Sequence, residues 1–303
     1  MQQGMSRPRF RMSEDRQALL GALILIALLP FLFGMIPIKG LLALLPAAWW
    51  PALGVTVENA ESLQIAVANW QPFLEWGTWR FLALGLAMTV AVSLVSIVLS
   101  LPLATLAALA RLSSRSYVRW PTIAGIEIIR AFPVLILIFY VFTQFSRVAE
   151  VTGSSLLKSN NVTLAVIIAL TLYTTVVNAE TIRAGILSLD KGQTEAARSL
   201  GLSYAQALRL VLLPQTFRRI LPPLIAQFVT LVKDTSLGAI IGLLELYHRG
   251  QILYQYYRNP LETLWVISVI YFFVNSALGQ TAQRIERRFS GSRRVSTRAS
   301  LEQ

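Results

Sequence analysis

Residues 192–215 read GQTEAARSLGLSYAQALRLVLLPQ, a polar, basic, Ala-rich stretch set between two strongly apolar runs. Just before it, Asp190 with Gln193 three residues on has the pattern of a capping box. A helix is expected from there through Glu195, Ala196 and Ala197 to about Leu200. Gly201 suits the left-handed position that ends a helix. Ser203 with Gln206 repeats the capping pattern, and a second helix is expected through Ala207 to Leu213, where Pro214 cannot continue it without losing a backbone bond. The stretch therefore reads as helix, Gly corner, helix, Pro stop. Short helices are marginal in water unless something packs on them. The apolar face, with Ala196, Ala197, Leu200, Leu202, Leu208, Val211 and Leu212, either lies on the rest of this chain or docks into the groove of a partner.

The surroundings decide where such an element sits. The chain is 55% hydrophobic and 14% charged, against about a quarter charged in ordinary soluble domains. Six runs approach the roughly 20 apolar residues that a membrane span needs: about Ala18–Ile38, Phe81–Ala110, Thr122–Phe145, Val162–Ile182, Leu221–Leu246 and Leu261–Ala282. The fold class is thus an all-α polytopic membrane helix bundle. Leu41–Val55 is short and holds Pro46 and Pro51, which fits an interfacial or loop segment. The first run follows a long flank with Glu14 and Asp15 and precedes no small-x-small cleavage site, so an uncleaved helix is expected.

Lys and Arg concentrate in one set of alternating segments: the N-terminus, the loop with Arg111, Arg115 and Arg119, the loop from Arg183 to Arg219, and the tail. The positive-inside rule then places both termini and the opening stretch in the cytoplasm. The net charge of +12 follows from this topology and from anionic lipid as a partner; no nucleic-acid partner is expected. The longest outer loop, Lys39–Arg80, carries five of the seven tryptophans, which favour the headgroup layer. The end of the chain, RRFSGSRRVSTRASLEQ, is expected to be a disordered, solvated basic tail. With no cysteine and one histidine, His248, neither a Cys-ligated metal nor a His cluster can form. No metal site and no catalytic residue is expected.

Ionisable residues within spans are costly and tend to be functional. Lys233 and Asp234 fall inside the fifth run; they either line the transported solute's path or hold the bundle through an internal polar network. Asn178 and Glu180, which close the fourth run, are further candidates for the solute path. Glu180 could neutralise an ammonium group, but Arg183 stands three residues on, and a carboxylate paired at that spacing is the simpler reading. Glu127 and Arg130 have the same spacing. Pro133 suggests a kink, Pro222 and Pro223 the start of a helix, and Asn259–Pro260 a turn.

The stretch Glu195-Ala196-Ala197, three residues, Gly201, nine residues, then Val211, Leu213 and Pro214 resembles the EAA loop of ABC-transporter permease subunits. The flanking ETIRAGILSLDKGQTEAA, LPQTFRRILPPLIAQFVTLVKDTSL and IEIIRAFPVLILIFYVF narrow the resemblance to bacterial polar amino-acid uptake permeases, over about residues 81–285. The usual Ile is Val211 here, and residues 1–80 match weakly. The resemblance implies an N-terminal helix plus a five-helix importer core, with residues 190–214 as a coupling pair held in the cleft of an ATPase. Glu195, Ala196, Ala197, Gly201, Leu202, Leu213 and Pro214 are then the coupling residues. Implied partners are a dimer of ATP-binding subunits, a second identical or homologous permease subunit, and an extracytoplasmic amino-acid-binding protein. The chain has no G-x-x-x-x-G-K-[ST] phosphate loop, so ATP and magnesium belong to the partner and this chain is not the enzyme. The expected division is 1–17, a cytoplasmic segment; 18–80, a first helix and outer loop; 81–285, the permease domain; and 286–303, the tail.

Two other classes fit the sequence less well. An intramembrane enzyme would need HExxH, G-x-S-x-G or a thiol, and none is present. An ion-coupled secondary transporter would use Lys233 and Asp234 but leaves the double helix unexplained. Which amino acid is carried is not written in the sequence.

Overall fold

The computed structural model describes residues 68–299. The expected N-terminal segment, the run Ala18–Ile38, the segment Leu41–Val55 and most of the Trp-rich loop lie outside the described residues. Contacts divide the chain into two units, Met1–Thr78 with Leu253–Val269, and Trp79–Ile252 with Ile270–Gln303.

Among the described residues the structure is helical, without strands. A 3-10 turn, Gln71–Leu74, precedes α1, Trp76–Arg111. Then follow α2, Ser116–Ala131, α3, Val134–Thr152, a one-turn helix Ser155–Ser159, and α4, Asn161–Leu187. The opening stretch supplies α5, Lys191–Ser199, α6, Tyr204–Ala207, and a π turn, Leu208–Leu212. The chain continues as α7, Leu213–Asp234, a 3-10 segment, Thr235–Ile241, α8, Leu246–Tyr257, and α9, Pro260–Ala299. Five stretches among these are long and apolar enough to cross a membrane.

In the larger unit α4 is the axis. It is apolar around its whole circumference, the pattern of a buried helix, and it packs on α2, α3 and α7. Val92, Ile138, Val166, Leu170, Leu231 and Leu243 form one core; Ala104, Ala108, Ile126, Val176, Ile182, Ile220 and Leu224 form another. The inner face of α1 is a row of small residues, Thr89, Ser93, Ser96, Ser100, Ala104 and Ala108, all fully buried. Small residues let membrane helices approach closely. Ser93 Oγ is satisfied by Thr89 O at 2.7 Å, within its own helix, and Ser96 Oγ donates across to Ile167 O at 3.4 Å.

The α4–α7 crossing is equally tight. A Cβ on Gly185 would collide with Ile220 Cγ2 and lie 2.9 Å from Thr216 Cγ2. Gly185→Val is expected to destabilise the bundle by about 1–3 kcal/mol, the usual cost of overpacking. Thermal unfolding of the solubilised transporter would show it, with Ile220→Ala in the same chain recovering part of the loss.

In the smaller unit the last span starts from a polar knot. Asn259 Nδ2 donates to Asn69 O at 2.7 Å, Asn69 Nδ2 to Glu262 Oε1 at 3.0 Å, and Thr263 Oγ1 to Asn259 Oδ1 at 2.9 Å. Arg258, at φ 56, makes the expected turn before Pro260.

Four expectations are corrected. The third run is two helices rather than one kinked span: Phe132 is extended, ψ 132, because Pro133 disfavours helical geometry in the residue before it. The fifth run is displaced; α7 begins at Leu213, and regular helix ends at Asp234, before the 3-10 segment and Gly242, at φ 96. Pro222 and Pro223 lie inside α7, not at its start. The tail is not disordered through its length, since α9 runs on to Ala299 with no proline to stop it.

Candidate functional site

The opening stretch folds as two capped arms around a glycine corner. Asp190 Oδ1 accepts from Gly192 N at 2.7 Å, starting α5. Gly201 has φ +82. Gly201 N donates to Arg198 O at 2.9 Å and Leu202 N to Ala197 O at 3.2 Å, the paired bonds of a Schellman motif. A Cβ on Gly201 would meet nothing within 4 Å, so the demand at this position is conformational. Ser203 and Gln206 form the complete capping box, at 2.8 and 3.3 Å.

Two details differ from expectation. Gln193 does not complete a capping box; its Oε1 accepts from Gln215 Nε2 at 3.1 Å, tying α5 to α7. Pro214 does not stop the second helix. The π turn Leu208–Leu212 leads straight into α7, with Pro214 in its first turn, where a missing N–H costs little. A second tie joins the C-terminal end of α4 to α7, as the Arg219 guanidinium donates to Ser188 O and, at 3.0 Å, to Ser188 Oγ.

Burial divides the face that the sequence presents as one stripe. Ala197, Ala207 and Leu212 are buried within the chain. Glu195, Ala196, Gly201 and Pro214 are exposed, and Leu202 and Leu213 half-buried. Leu200 is 83% exposed and Leu210 62%, both beyond the reach of the chain's own core.

Above this element an ion network joins α1, α2 and α4. Arg111 pairs with Glu180 Oε1 and lies 3.5 Å from Glu127; Arg183 Nε lies 3.2 Å from Glu180 Oε2, and Arg130 3.8 Å from Glu127. Both Glu180 oxygens are therefore engaged. The Arg111 partner comes from a helix sixty-nine residues away, a distance that spacing rules cannot see.

The outer face of α7 is unlike that of the other long helices. Its exposed residues Arg219, Pro223, Ala226, Thr230 and Lys233 recur at three- and four-residue spacing, one stripe of a helix. From Leu213 to Ala239 no large hydrophobic residue is exposed, whereas α1 exposes Leu84, Leu94, Val98, Leu99, Leu103 and Leu106. Lys233 stands on that stripe, Asp234 is half-buried beside it, and among the described residues no carboxylate lies within 4 Å of the Lys233 ammonium.

Asn178 is not on that face. It is fully buried in α4, and neither amide atom has a hydrogen-bond partner among the described residues; Thr171 and Thr174, along the same helix, share this condition.

Sequence reasoning missed Glu245. It falls inside the fifth apolar run, yet its side chain is fully buried and caps α8. Its one signal was an acidic residue in an apolar run just ahead of a new helix.

A family model described as binding-protein-dependent transport system inner membrane component matches residues 100–291. The glutamate transport system permease protein GluD of Corynebacterium glutamicum is 37% identical over 231 residues, 76% of this chain and 83% of that protein. The probable glutamine ABC transporter permease protein GlnP of Bacillus subtilis is 38% identical over 211 residues, 68% of this chain and 92% of that protein. A crystal structure of an amino acid ABC transporter with histidines superposes with a TM-score of 0.59 at 28% identity, over 69% of this chain and 94% of that one. The inward-facing MetNI methionine ABC transporter shares the fold, with a TM-score of 0.61 at 21% identity over 71% and 99%. The matched region, the run of membrane-length helices and the capped double helix between α4 and α7 agree: the chain is a multi-pass membrane protein of the binding-protein-dependent transport system inner membrane component family, a permease subunit of an ABC importer.

Proposed function

We propose that this permease carries a polar amino acid, received from an extracytoplasmic binding protein, and that α5 and α6 with Gly201 between them are its coupling pair. The observation that carries this is the division of the pair's apolar residues. Ala197, Ala207 and Leu212 hold the pair to its own chain, while Leu200 and Leu210 stand free with exposed Glu195 and Ala196. Apolar anchors of this kind fit a partner's groove. Glu195, Ala196, Ala197, Gly201, Leu202, Leu213 and Pro214 form the coupling surface and its support. The occupant is a dimer of cytoplasmic ATP-binding subunits, which bind ATP with magnesium and hydrolyse it; this chain contributes no catalysis.

The solute path runs along the exposed stripe of α7, with Lys233 and Asp234 at its end. A membrane helix whose outer face lacks large apolar side chains is unsuited to lipid, and that face is completed by a second permease subunit, identical or homologous. A lone ammonium on the face suits the α-carboxylate that every amino acid carries. Glu180, with both oxygens held by arginines, is a strut of the bundle, and buried Asn178 belongs to the interior of the subunit. The glutamate and glutamine permeases among the relatives make acidic and amide amino acids the leading substrates. Both termini face the cytoplasm, and residues 81–285 form the transport domain.

Affinity purification of the tagged chain tests the reading. A stoichiometric ATP-binding subunit is expected, with amino-acid uptake that fails when ATP is depleted. Uptake by this chain alone, driven by an ion gradient, would mark an ion-coupled secondary transporter instead.

A further inference from the structure

The fully buried Glu245 carboxylate lies eleven residues after Asp234 and collects donors from three elements. His248 N donates to Oε1 at 2.7 Å, and Tyr247 N to Oε2 at 2.9 Å, the bonds of a helix cap at the start of α8. Tyr271 OH, on α9, donates to Oε2 at 3.1 Å, and Thr89 Oγ1, on α1, at 3.4 Å. Thr89 Oγ1 in turn accepts from Leu246 N at 3.2 Å. Among the described residues no cation lies within 4 Å of Glu245; the nearby Arg249 donates to Leu244 O and lies over the Phe81 ring. A buried carboxylate held only by neutral donors is a costly helix cap, and serine or asparagine would cap α8 with less desolvation. What the carboxylate adds is reach to two further helices.

That reach extends back to the charged end of α7. The Tyr271 hydroxyl that binds Glu245 also meets the hydroxyls of Thr89 and Thr235. Thr235 is fully buried, follows Asp234 directly, and donates to Val232 O at 2.8 Å. Between Thr235 and Glu245 the chain closes on itself: Gly242 N donates to Ala239 O and Leu243 N to Gly238 O, both at 3.0 Å. Gly238 has no room for a side chain, since a Cβ would lie 2.9 Å from Leu243 Cδ2 and 3.0 Å from Val166 Cγ2. This closed segment starts at Thr235, directly after Lys233–Asp234, and ends at Glu245, whose carboxylate accepts from Tyr271 OH.

We propose that Glu245 and Tyr271 are positioning residues of the solute path: together they fix the point at which α7 gives way to the 3-10 segment, and so the depth and direction at which Lys233 is presented. The functional weight of this clamp rests on Lys233 being a path residue; the clamp itself does not.

The chain has no cysteine, so Lys233→Cys and, two turns earlier on the same stripe, Ala226→Cys each give a thiol unique within this subunit. A water-soluble methanethiosulfonate reagent applied to the assembled transporter in membrane vesicles reports the setting of each, since thiol reaction follows exposure and local environment. With Glu245→Gln or Tyr271→Phe added, the rate at position 233 is expected to change by about tenfold, while that at position 226 stays the same. An unchanged rate at 233 overturns the proposal, and so does an equal change at both positions, which means general loosening. Tyr271→Phe removes one oxygen and serves where Glu245→Gln fails to assemble, with Thr235→Val as a third entry to the same clamp. Uptake of L-glutamate and L-glutamine by Lys233→Met separates the two ideas: retained uptake removes Lys233 from the path while leaving the labelling result to decide on the clamp.

Discussion

Lys233→Met is expected to lower amino-acid uptake by about a hundredfold or more, equivalent to roughly 2.7 kcal/mol, without reducing the amount of assembled transporter. Two opposed effects make this diagnostic. A charged side chain at the centre of a bilayer costs about 2.5–3.5 kcal/mol on insertion scales, so if the exposed Lys233 faced lipid, methionine would stabilise the protein and leave transport alone. If it faces the solute, the same change removes a favourable contact to the α-carboxylate, and transport collapses while stability holds. Membrane content and uptake rate, measured on the same vesicles, separate the two. Unchanged uptake with unchanged apparent affinity would take Lys233 out of the path.

In the stretch that precedes α7, Gly201→Pro and Glu195→Lys are expected to abolish ATP-coupled uptake for different reasons. Proline fixes φ near −65°, whereas position 201 has φ +82, and its N–H donates to Arg198 O. The corner cannot form, and α6 points elsewhere. Asparagine tolerates left-handed geometry, so Gly201→Asn is expected to keep most activity, with Gly201→Ala between them at a cost of about 1–2 kcal/mol. Glu195 is exposed and takes part in no ion pair among the described residues. Its reversal to lysine leaves the fold intact and reports only on what the coupling pair touches. Retention of the ATP-binding subunit on purification, measured beside uptake, distinguishes failed docking from failed transmission. Coupled uptake that survives both changes would remove the pair from the coupling path.

These two sites were legible to different degrees. The caps at Asp190 and Ser203 and the corner at Gly201 are written in residue types whose geometry is local, and the structure has all three. Five of the six apolar runs each overlap a membrane-length helix among the described residues, because length against bilayer thickness needs no tertiary information. Proline gave less. Pro133 breaks a span, Pro214 is taken up in a first turn, and Pro222 and Pro223 ride inside a helix; the outcome depends on neighbours that the sequence does not place. The Arg111–Glu180 pair and the Glu245 clamp join residues far apart in the chain, so no spacing rule finds them. The plain exterior of α7 is invisible until burial sorts its residues, because Ala226 and Thr230 look ordinary in a list.

One consequence of the fused second arm concerns mechanics. From Tyr204 through the π turn to Asp234 the chain is a single helical rod, about 45 Å long at 1.5 Å per residue. Its tightest contact is the one that leaves no room at Gly185, against Thr216 and Ile220. If the rod tilts about that fulcrum, Leu210 swings on a short arm of about 12 Å and Lys233 on one of about 22 Å. A displacement imposed at Leu210 is then roughly doubled, and reversed in direction, at Lys233.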